Sequence, residues 1–298
     1  MIHKKEGRMD MELKHKATRD GRLSSFLKNE MGMSTGLINR LKWQEKILVN
    51  DKPQHTDYAV RAGDVITVAT DEPEPEYPAE QEPICILFED DYFLAVDKPA
   101  GMLIHPSRNR IDGTLANRVV GYYQRTGQHC AFHPITRLDR DTFGIVLLAK
   151  NSHAHALMQR TPLQKTYHAL TFGGPDTGSG TIDLPIARRP LPSLLREVHP
   201  DGKPSVTEFM VMERKNETCK LALRPITGRT HQLRVHCSHM GYPIVGDPQY
   251  GSEASAAYSE KRGLQTQQLC AKKLEFVHPV TGEKLCLCSR MDTASEDE

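Results

Sequence analysis

The stretch TRLDRDTFG, from Thr136 to Gly144, places two arginines and two aspartates directly before the apolar run IVLLAK. Asp139 lies between Arg137 and Arg140, at the start of what the apolar run predicts to be a buried strand. A neighbouring guanidinium can hold a carboxylate in its ionised form while the carboxylate faces a pocket. The arrangement is typical of a nucleophile or a base. The alternative is an ion-paired loop aspartate, the usual state of a surface Asp.

Histidines raise the question of a metal site. His231, His236 and His239 follow one another closely, but no two of them are four residues apart, and no carboxylate occurs between His231 and Asp247. This spacing lacks the pattern of a zinc site on a helix, so we predict no metal. Tyr167 lies in a strand-like run, where a lone tyrosine is ordinarily packed in the core.

Composition limits the class of protein. The chain has 298 residues, of which 38% are hydrophobic and 26% charged, as in globular proteins with one large domain or a small and a large one. No apolar run approaches membrane-spanning length, and the N-terminal MIHKKEGRMD lacks the apolar core of a signal peptide. We therefore expect a cytoplasmic protein without a membrane partner. Seven scattered cysteines predict free or buried thiols.

Charge is distributed unevenly along the chain. The net charge is only +1, but residues 71–97 contain ten acidic residues and no Lys or Arg, so the rest of the chain carries +11. Basic surroundings of this kind permit a polyanionic partner. Solvated surface charge is the alternative interpretation.

The segment DEPEPEYPAEQEP, Asp71 to Pro83, is rich in Pro and Glu and has little to bury, so it predicts an extended linker. We therefore expect a small unit at 1–70, a linker at 71–83 and a large unit at 84–298. In the small unit, apolar spacing predicts helices in GRLSSFLKNEMG and in GLINRLKWQEK, the latter behind a Ser34/Thr35 cap. KILVNDKP and AGDVITVAT read as short strands.

This order of elements, with basic helices, resembles the S4 RNA-binding domain. The residues that match its pattern are Arg22, Leu23, Leu27, Ser34, Val49, Asn50, Gly63, Asp64, Ile66 and Val68. The departures are Ser24, Thr35 and Asp51, of which Thr35 removes a cation from the expected RNA face. The resemblance implies RNA contact through Arg22 and Arg40. A two-helix appendage that only docks on the larger unit is the alternative.

After the linker, strand-length apolar runs dominate: CILFED, YFLAVDKP, GIVLLAK, KTYHALTFG, TEFMVMER, TCKLALRPI and KKLEFVHP. Helical patterns interrupt them at GTLANRVVGYYQRTG, SHAHALMQRTP and GRTHQLRVHCSHMG. Many strands with few helices predict an α+β fold with a mixed, mostly antiparallel sheet.

Five stretches in this unit resemble, in order, the motifs of the RluA-type pseudouridine synthases. They are VDKPAGMLIHPS, RLDRDTFGIVLLAKN, KTYHAL, GRTHQLRVHCSHMGYPIVGDPQYG and KLEFVHPVTGE, and together they cover nearly all of residues 84–288. The second resembles the motif H-R-L-D-x-x-T-S-G, whose first aspartate is catalytic.

The resemblance assigns roles residue by residue. It implies that Asp139 is the catalytic carboxylate and that Arg234 pairs with it. Tyr167 would lie against the uracil ring, and Arg137 would enter the RNA stack where the target base leaves. Four further residues match motif positions that shape or line the site and are expected to contact RNA: Lys98, Arg229, His231 and Gln232.

The implied reaction cuts the C1′–N1 bond of a uridine, turns the uracil and rejoins it through C5, which requires no redox carrier and no metal. The base must be extruded, at a cost of about a few kcal/mol. Tyr167 is expected to take the C5 proton, provided that its neighbours lower its pKa. We expect a monomer acting on structured RNA, ribosomal RNA first and transfer RNA as the other choice.

Two other functions remain open at this stage. One is an RNA-binding or ribosome-assembly factor that has lost turnover. The other is a glycosidic hydrolase, which would need a second carboxylate near Asp139, where Asp141 has no assigned role. Thr136, Phe143 and Cys270 depart from the usual motif residues, and we expect them to affect how the RNA is read.

Overall fold

The structure is a computed structural model that describes residues 11–33, 35–70, 77–107 and 110–294. Ser34 of the predicted helix cap, and residues 71–76 of the predicted linker, lie outside the described residues. Within the described ranges, no helix is both long and apolar enough to cross a membrane.

The N-terminal unit is a four-stranded antiparallel sheet with two helical segments. Its elements are β1 (Met11–Lys16), β2 (Gly21–Arg22), α1 (Leu23–Ser25) continued by a π-helical turn (Phe26–Glu30), α2 (Thr35–Trp43), β3 (Ile47–Val49), β4 (Lys52–Pro53), β5 (Ala59–Val60) and β6 (Val65–Thr70). The main sheet has the order β1-β6-β3-β4. The two predicted helical regions and the two predicted strand regions are confirmed. β1 was not predicted.

One core fills this unit. Leu23, Phe26 and Leu27 of the first helical segment pack with Ile38 and Leu41 of α2. Because these apolar residues recur at helical spacing, each helix turns one face to the sheet and leaves the other outside.

The larger unit contains the following elements: β7 (Cys85–Glu89), β8 (Phe93–Lys98), α3 (Leu115–Arg125), β9 (His133–Pro134), β10 (Phe143–Ala149), α4 (Ser152–Met158), β11 (Gln164–Phe172), β12 (Ser179–Asp183), β13 (Ile186–Arg188), β14 (Arg196–Val198), β15 (Val206–Arg214), β16 (Thr218–Pro225), α5 (Gln232–His239), α6 (Glu253–Lys261), β17 (Leu269–Val277) and β18 (Lys284–Cys288). All seven predicted strand runs and all three predicted helical patterns are confirmed. The sequence reasoning missed β9, β12, the β13–β14 hairpin, β18 and α6.

A ten-stranded sheet organises this unit, with the order β12-β15-β16-β11-β17-β10-β8-β7, β18 paired to β17 and β9 paired to β10. Among the described strands of this sheet, every pair is antiparallel except β10 and β17. The predicted α+β fold with a mixed, mostly antiparallel sheet is therefore confirmed.

The centre of the sheet is covered on both faces. Alternate residues of β8 and β10 pack on one side against α3 and on the other side against α4, β17 and β18. This explains why these two strands are continuously apolar instead of alternating, since neither face meets water. The Asp139 loop enters β10 at the common end of these two strands, next to the packed centre of the sheet.

The second half of the predicted linker is not extended and free. Tyr77 packs into the α3 core, the Asn117 side chain donates a hydrogen bond to the carbonyl of Pro78 at 2.8 Å, and the amide of Glu80 donates to the carbonyl of Asn117 at 3.0 Å. A Cβ atom on Gly121 would lie only 1.7 Å from the Glu80 carbonyl oxygen, so glycine is required there. The buried Asn117 amide needs these partners, which binds residues 77–83 to the larger unit.

Candidate active site

The Asp139 loop and β11 meet because both lie beside β17. Gly144, at the start of β10, and Tyr167, on β11, are both register partners of Ala271. Gly144 has a φ of +105°, and a Cβ atom there would lie 2.4 Å from the Ala271 carbonyl oxygen. Glycine is therefore needed for the loop to enter the sheet at this point. The result is that Asp139 and Tyr167 face the same pocket.

The pocket has a volume of about 610 Å³ and a largely polar wall. Three segments line it: the Asp139 loop, the start of β11, and residues 225–234, which lead from β16 into α5. Of the predicted site residues, the wall contains Asp139, Arg137, Tyr167, Arg229, His231, Gln232 and Arg234. Lys98, Arg22 and Arg40 do not line it.

Asp139 and Arg234 form the ion pair that the sequence predicted. Arg234 Nη1 donates to Asp139 Oδ2 at 3.1 Å; the Asp139 side chain is 32% exposed, whereas that of Arg234 is 5% exposed. Burial alone would lower the pKa of Arg234, but the hydrogen bonds and charges of Asp247 and Asp139 outweigh burial and raise the pKa. Arg234 is thus a permanent cation that approaches the carboxylate from the protein side.

Asp247, which the sequence reasoning did not assign, holds Arg234 in place. Arg234 donates to it from Nε at 2.7 Å and from Nη2 at 2.8 Å, and Nη2 also donates to Gln249 Oε1 at 2.8 Å. The guanidinium lies 4.9 Å from the centre of the Tyr250 ring. The Asp247 side chain is fully buried, so its charge is neutralised by Arg234. The GDPQYG turn in the sequence was the signal for these three residues.

His231 lies next to the same carboxylate. Its Nε2 is 3.9 Å from Asp139 Oδ2, and its backbone has a φ of 58°, unusual for a residue other than glycine. Tyr250 accepts a hydrogen bond from the Arg196 amide at 2.9 Å, so its hydroxyl hydrogen can be donated to His231 Nδ1 at 2.8 Å. The neutral imidazole then carries its hydrogen on Nε2, facing Asp139.

The pKa of His231 is lowered, first by burial and further by the charges of Arg234 and Arg196, although Asp139 acts in the opposite direction. At neutral pH the ring is therefore a neutral hydrogen-bond donor to the pocket.

The condition set for Tyr167 as the base, a pKa lowered by its neighbours, is not met. Burial and the charge of Asp139 raise it above the usual range of a phenol. Both causes disfavour the phenolate, since one removes it from water and the other places a second negative charge nearby. At neutral pH Tyr167 is therefore a neutral phenol.

Two of the predicted RNA-contacting arginines lie at the exposed side of the pocket. Arg137 is exposed, and its guanidinium has no hydrogen bond to any residue that the structure describes. Arg229 is also exposed and donates from Nε to the Pro204 carbonyl at 3.1 Å. Lys165, which the sequence reasoning did not single out, adds a fourth cation to the wall beside Arg137, Arg229 and Arg234, and burial lowers its pKa.

The prediction that Lys98 contacts RNA is wrong. Its side chain is fully buried, and Nζ donates to the carbonyls of Pro99, Met102 and Arg140, each at 2.9 Å. Burial lowers its pKa to about 8, although the charges of Asp141 and Asp139 raise it. Lys98 instead ties the loop of Asp139 to the end of β8.

Gln232 lines the pocket, but its side-chain amide is fully hydrogen-bonded to other residues of the protein. Nε2 donates to the Val206 carbonyl at 2.9 Å and to Thr207 Oγ1 at 3.0 Å, and Oε1 accepts from Thr227 and from the Arg229 amide. Because all its hydrogen-bonding groups are occupied, the expected RNA contact through this amide is not supported. Gln232 fixes the segment that leads into α5.

The remaining predicted residues fall into two groups. Arg22 and Arg40 are exposed on the N-terminal unit. Thr136, Phe143 and Cys270 are buried, and Phe143 and Cys270 are register partners in the sheet. These three departures therefore affect packing around the loop and do not touch the pocket mouth.

The structure also bears on the alternative chemistries. In the part of the chain that the structure describes, no three His, Cys, Asp or Glu side chains are grouped as a metal site would need. Asp141, the nearest second carboxylate in sequence, is held by Arg140 in two hydrogen bonds of 2.9 and 2.8 Å. Asp141 does not line the pocket that Asp139 faces, so it is not positioned as the partner acid of a hydrolase.

Comparison with known proteins gives a consistent result. Residues 92–239 match the family described as RNA pseudouridylate synthase. The chain is 35% identical over 263 residues to an uncharacterized RNA pseudouridine synthase, YjbO, of Bacillus subtilis, covering 86% of this chain and 90% of that protein. It is 34% identical to ribosomal large subunit pseudouridine synthase C of Vibrio cholerae, with coverages of 89% and 87%.

A solved structure, human RNA pseudouridylate synthase domain containing 1, superposes with a TM-score of 0.56 at 27% identity, covering 74% of this chain and 94% of that one. The similarity thus extends from the sequence to the fold.

Proposed function

Because the chain belongs to the RluA-type RNA pseudouridine synthases, we propose that it isomerises uridines of ribosomal RNA with Asp139 as the catalytic carboxylate. The observation that carries the proposal is the pairing of Asp139 with the buried Arg234 at the wall of an open polar pocket. Relatives named ribosomal large subunit pseudouridine synthases C and D support ribosomal RNA over transfer RNA.

The geometry around Asp139 suits a reacting carboxylate. Arg234 and His231 both approach Oδ2, and Oδ1 has no hydrogen bond to any described residue. One oxygen is thus held while the other can act on the sugar or on the ring. Arg234 compensates the charge without being able to take the proton, because a guanidinium stays protonated.

Arg137 and Lys165 supply the contacts that the flipped nucleotide needs. Arg137 stands at the exposed side of the pocket, where a planar cation can stack in the gap that the uracil leaves. Lys165 precedes Tyr167 by two residues on β11, so both point to the same side of the sheet. We assign Lys165 to the phosphate of the target nucleotide, whose negative charge would favour the charged amine that burial disfavours.

Tyr167 lies against the ring and takes the C5 proton. Once C1′ is bonded to C5, loss of that proton restores the aromatic ring, N1 gains a proton, and the isomerisation balances without any other reactant. Since the pKa of Tyr167 is raised, only a small fraction of the enzyme carries the phenolate at neutral pH. Proton removal is therefore expected to be slow and to depend on pH.

The test uses ribosomal and transfer RNA transcripts labelled with tritium at C5 of uridine, which is released on isomerisation. Wild type is expected to release tritium from large-subunit ribosomal RNA. Asp139→Asn should release none while binding the same RNA within a few fold, because one neutralised pocket group removes chemistry more than affinity. The neighbouring Asp141→Asn is the matched control and should retain activity. Equal release by wild type and Asp139→Asn would refute the assignment.

A further inference from the structure

Trp43 is the single tryptophan of the chain, and it is 85% exposed at the end of α2. Tryptophan is ordinarily well buried, because its ring contributes more apolar area than almost any other side chain. The described contact of the indole is with Lys42, whose Nζ lies 6.0 Å from the ring centre. The ring therefore presents its faces to the outside.

The orientation of Trp43 is fixed by the opposite side of α2. Ile38 and Leu41 are buried in the core of the N-terminal unit, which places Gly36, Arg40 and Trp43 on the outer face at spacings of four and three residues. A Cβ atom on Gly36 would meet nothing within 4 Å. The outer face of α2 is thus an open strip, with Gly36 at one end, the Arg40 guanidinium in the middle and the Trp43 indole at the other end.

The charge around this strip favours a polyanion. Residues 35–46 contain one acid, Glu45, against three bases, Arg40, Lys42 and Lys46, and the last turn of α2 contains Arg40 and Lys42. An apolar protein partner would gain from the ring but would have to desolvate both cations. An RNA strand uses both features, since phosphates pair with the cations and a base stacks on the indole.

We propose that Trp43 stacks on an unpaired base of the RNA substrate, with Arg40 and Lys42 on the adjacent phosphates, at a binding site outside the catalytic pocket. This rests on the proposed function in that the substrate is RNA. The site is sequence-tolerant, because every base offers a π-face. It selects for single-stranded segments over continuous duplex.

Because the chain has one tryptophan, its fluorescence reports on this side chain alone. The probe is a ribosomal RNA hairpin with an unpaired loop, and the control ligand is a blunt duplex of the same length. We expect the hairpin to quench the emission at concentrations that the duplex does not. Trp43→Ala should weaken hairpin binding roughly 10-fold, a typical effect of losing one stacked base, while Trp43→Phe should weaken it less.

Val277→Ala, at an exposed apolar residue of the larger unit, is the matched control and should bind normally. Unchanged binding by Trp43→Ala, or quenching by duplex and hairpin alike, would overturn the proposal. A concentration-dependent dimer that Trp43→Ala abolishes, without an effect on RNA affinity, would assign the strip to a second copy of the chain instead.

The two proposals fail separately. Asp139→Asn should keep the full fluorescence response, because the stacking site does not include the pocket. Tritium release by wild type without quenching would contradict the stacking site alone. Quenching without tritium release would contradict the proposed isomerisation and leave the stacking site standing.

Discussion

Asp247 binds Arg234 through two hydrogen bonds, at 2.7 and 2.8 Å, on the side of the guanidinium that faces away from Asp139. The backbone amides of Gln249 and Tyr250 donate to the same carboxylate at 2.9 and 3.2 Å. Asp247 therefore fixes the position of Arg234, and Arg234 in turn fixes Asp139. This makes Asp247 a positioning residue for the proposed chemistry.

Asp247→Asn should destabilise the protein by about 3 kcal/mol, because it leaves a buried arginine without its counter-charge. Turnover should fall more than RNA affinity, since the variant displaces the partner of the reacting carboxylate. Urea unfolding and tritium release measure the two effects. Asp141→Asn provides the comparison, and an Asp247→Asn variant as stable and as active as that control would contradict the role.

Lys98→Met should loosen the Asp139 loop, because the three carbonyls that Nζ binds lose their donor. The expected result is a lower kcat with RNA affinity preserved, measured by single-turnover kinetics and filter binding. A variant with unchanged kcat would show that the loop keeps its position without the amine.

The lowered pKa of Lys98 also gives a stability prediction. Its folded-state pKa is about 8, against an ordinary value of 10.5, so between these pH values the unfolded chain binds a proton that the folded protein does not. Stability of wild type relative to Lys98→Met should therefore rise from pH 8 to 10.5, by up to about 3 kcal/mol, since one pKa unit corresponds to about 1.4 kcal/mol. Urea unfolding of both proteins across this range measures the difference. A constant difference would mean that the amine is charged in the folded protein throughout.

Tyr167 gives the reaction its expected pH dependence. Because burial and Asp139 raise the pKa of the phenol above 10, the phenolate fraction grows about tenfold for each pH unit from 7 to 9.5. If the phenolate takes the C5 proton, single-turnover tritium release should rise with the same slope, and Tyr167→Phe should release almost none while still binding RNA. A flat profile would assign the C5 proton to another base.

Asp292 ties the C-terminal segment to the large sheet. It contacts His168 at 2.9 Å, Lys220 at 3.2 Å and Lys272 at 3.5 Å. Burial alone would raise the pKa of Asp292, but the hydrogen bonds from His168 and Thr293 and the nearby cations lower it to about 2. A carboxyl group with a lowered folded-state pKa stabilises the protein above its ordinary pKa and loses that contribution as pH falls through the folded value.

Asp292→Asn should therefore be less stable than wild type at pH 5 to 7, and the difference should vanish between about pH 4 and pH 2. Thermal unfolding of the two proteins across this range measures it. Asp201→Asn, in an exposed loop, is the control. A difference that persists at pH 2 would contradict an electrostatic origin.

Part of this site could be predicted from the sequence, because the apolar runs indicate the strands and the motifs single out Asp139 before β10, Tyr167 on β11 and Arg234 on α5. The predictions that failed concern the surroundings of individual side chains in the folded protein. We predicted that Lys98 contacts RNA, yet three carbonyls from two loops surround its amine, and that convergence exists only in the folded chain. Asp247 was not assigned because its partner, Arg234, lies on α5, and the two are joined only through the loop that follows this helix. The pKa of Tyr167 depends on burial, which motif matching does not measure.

Ala271 of β17 is the register partner of both Gly144 and Tyr167. The segment that carries Asp139 and the strand that carries the Tyr167 phenol therefore meet β17 at the same residue. A change that shifts Ala271 is therefore expected to displace both segments at once, so the separation between the Asp139 carboxylate and the Tyr167 phenol depends on one short stretch of the β17 backbone.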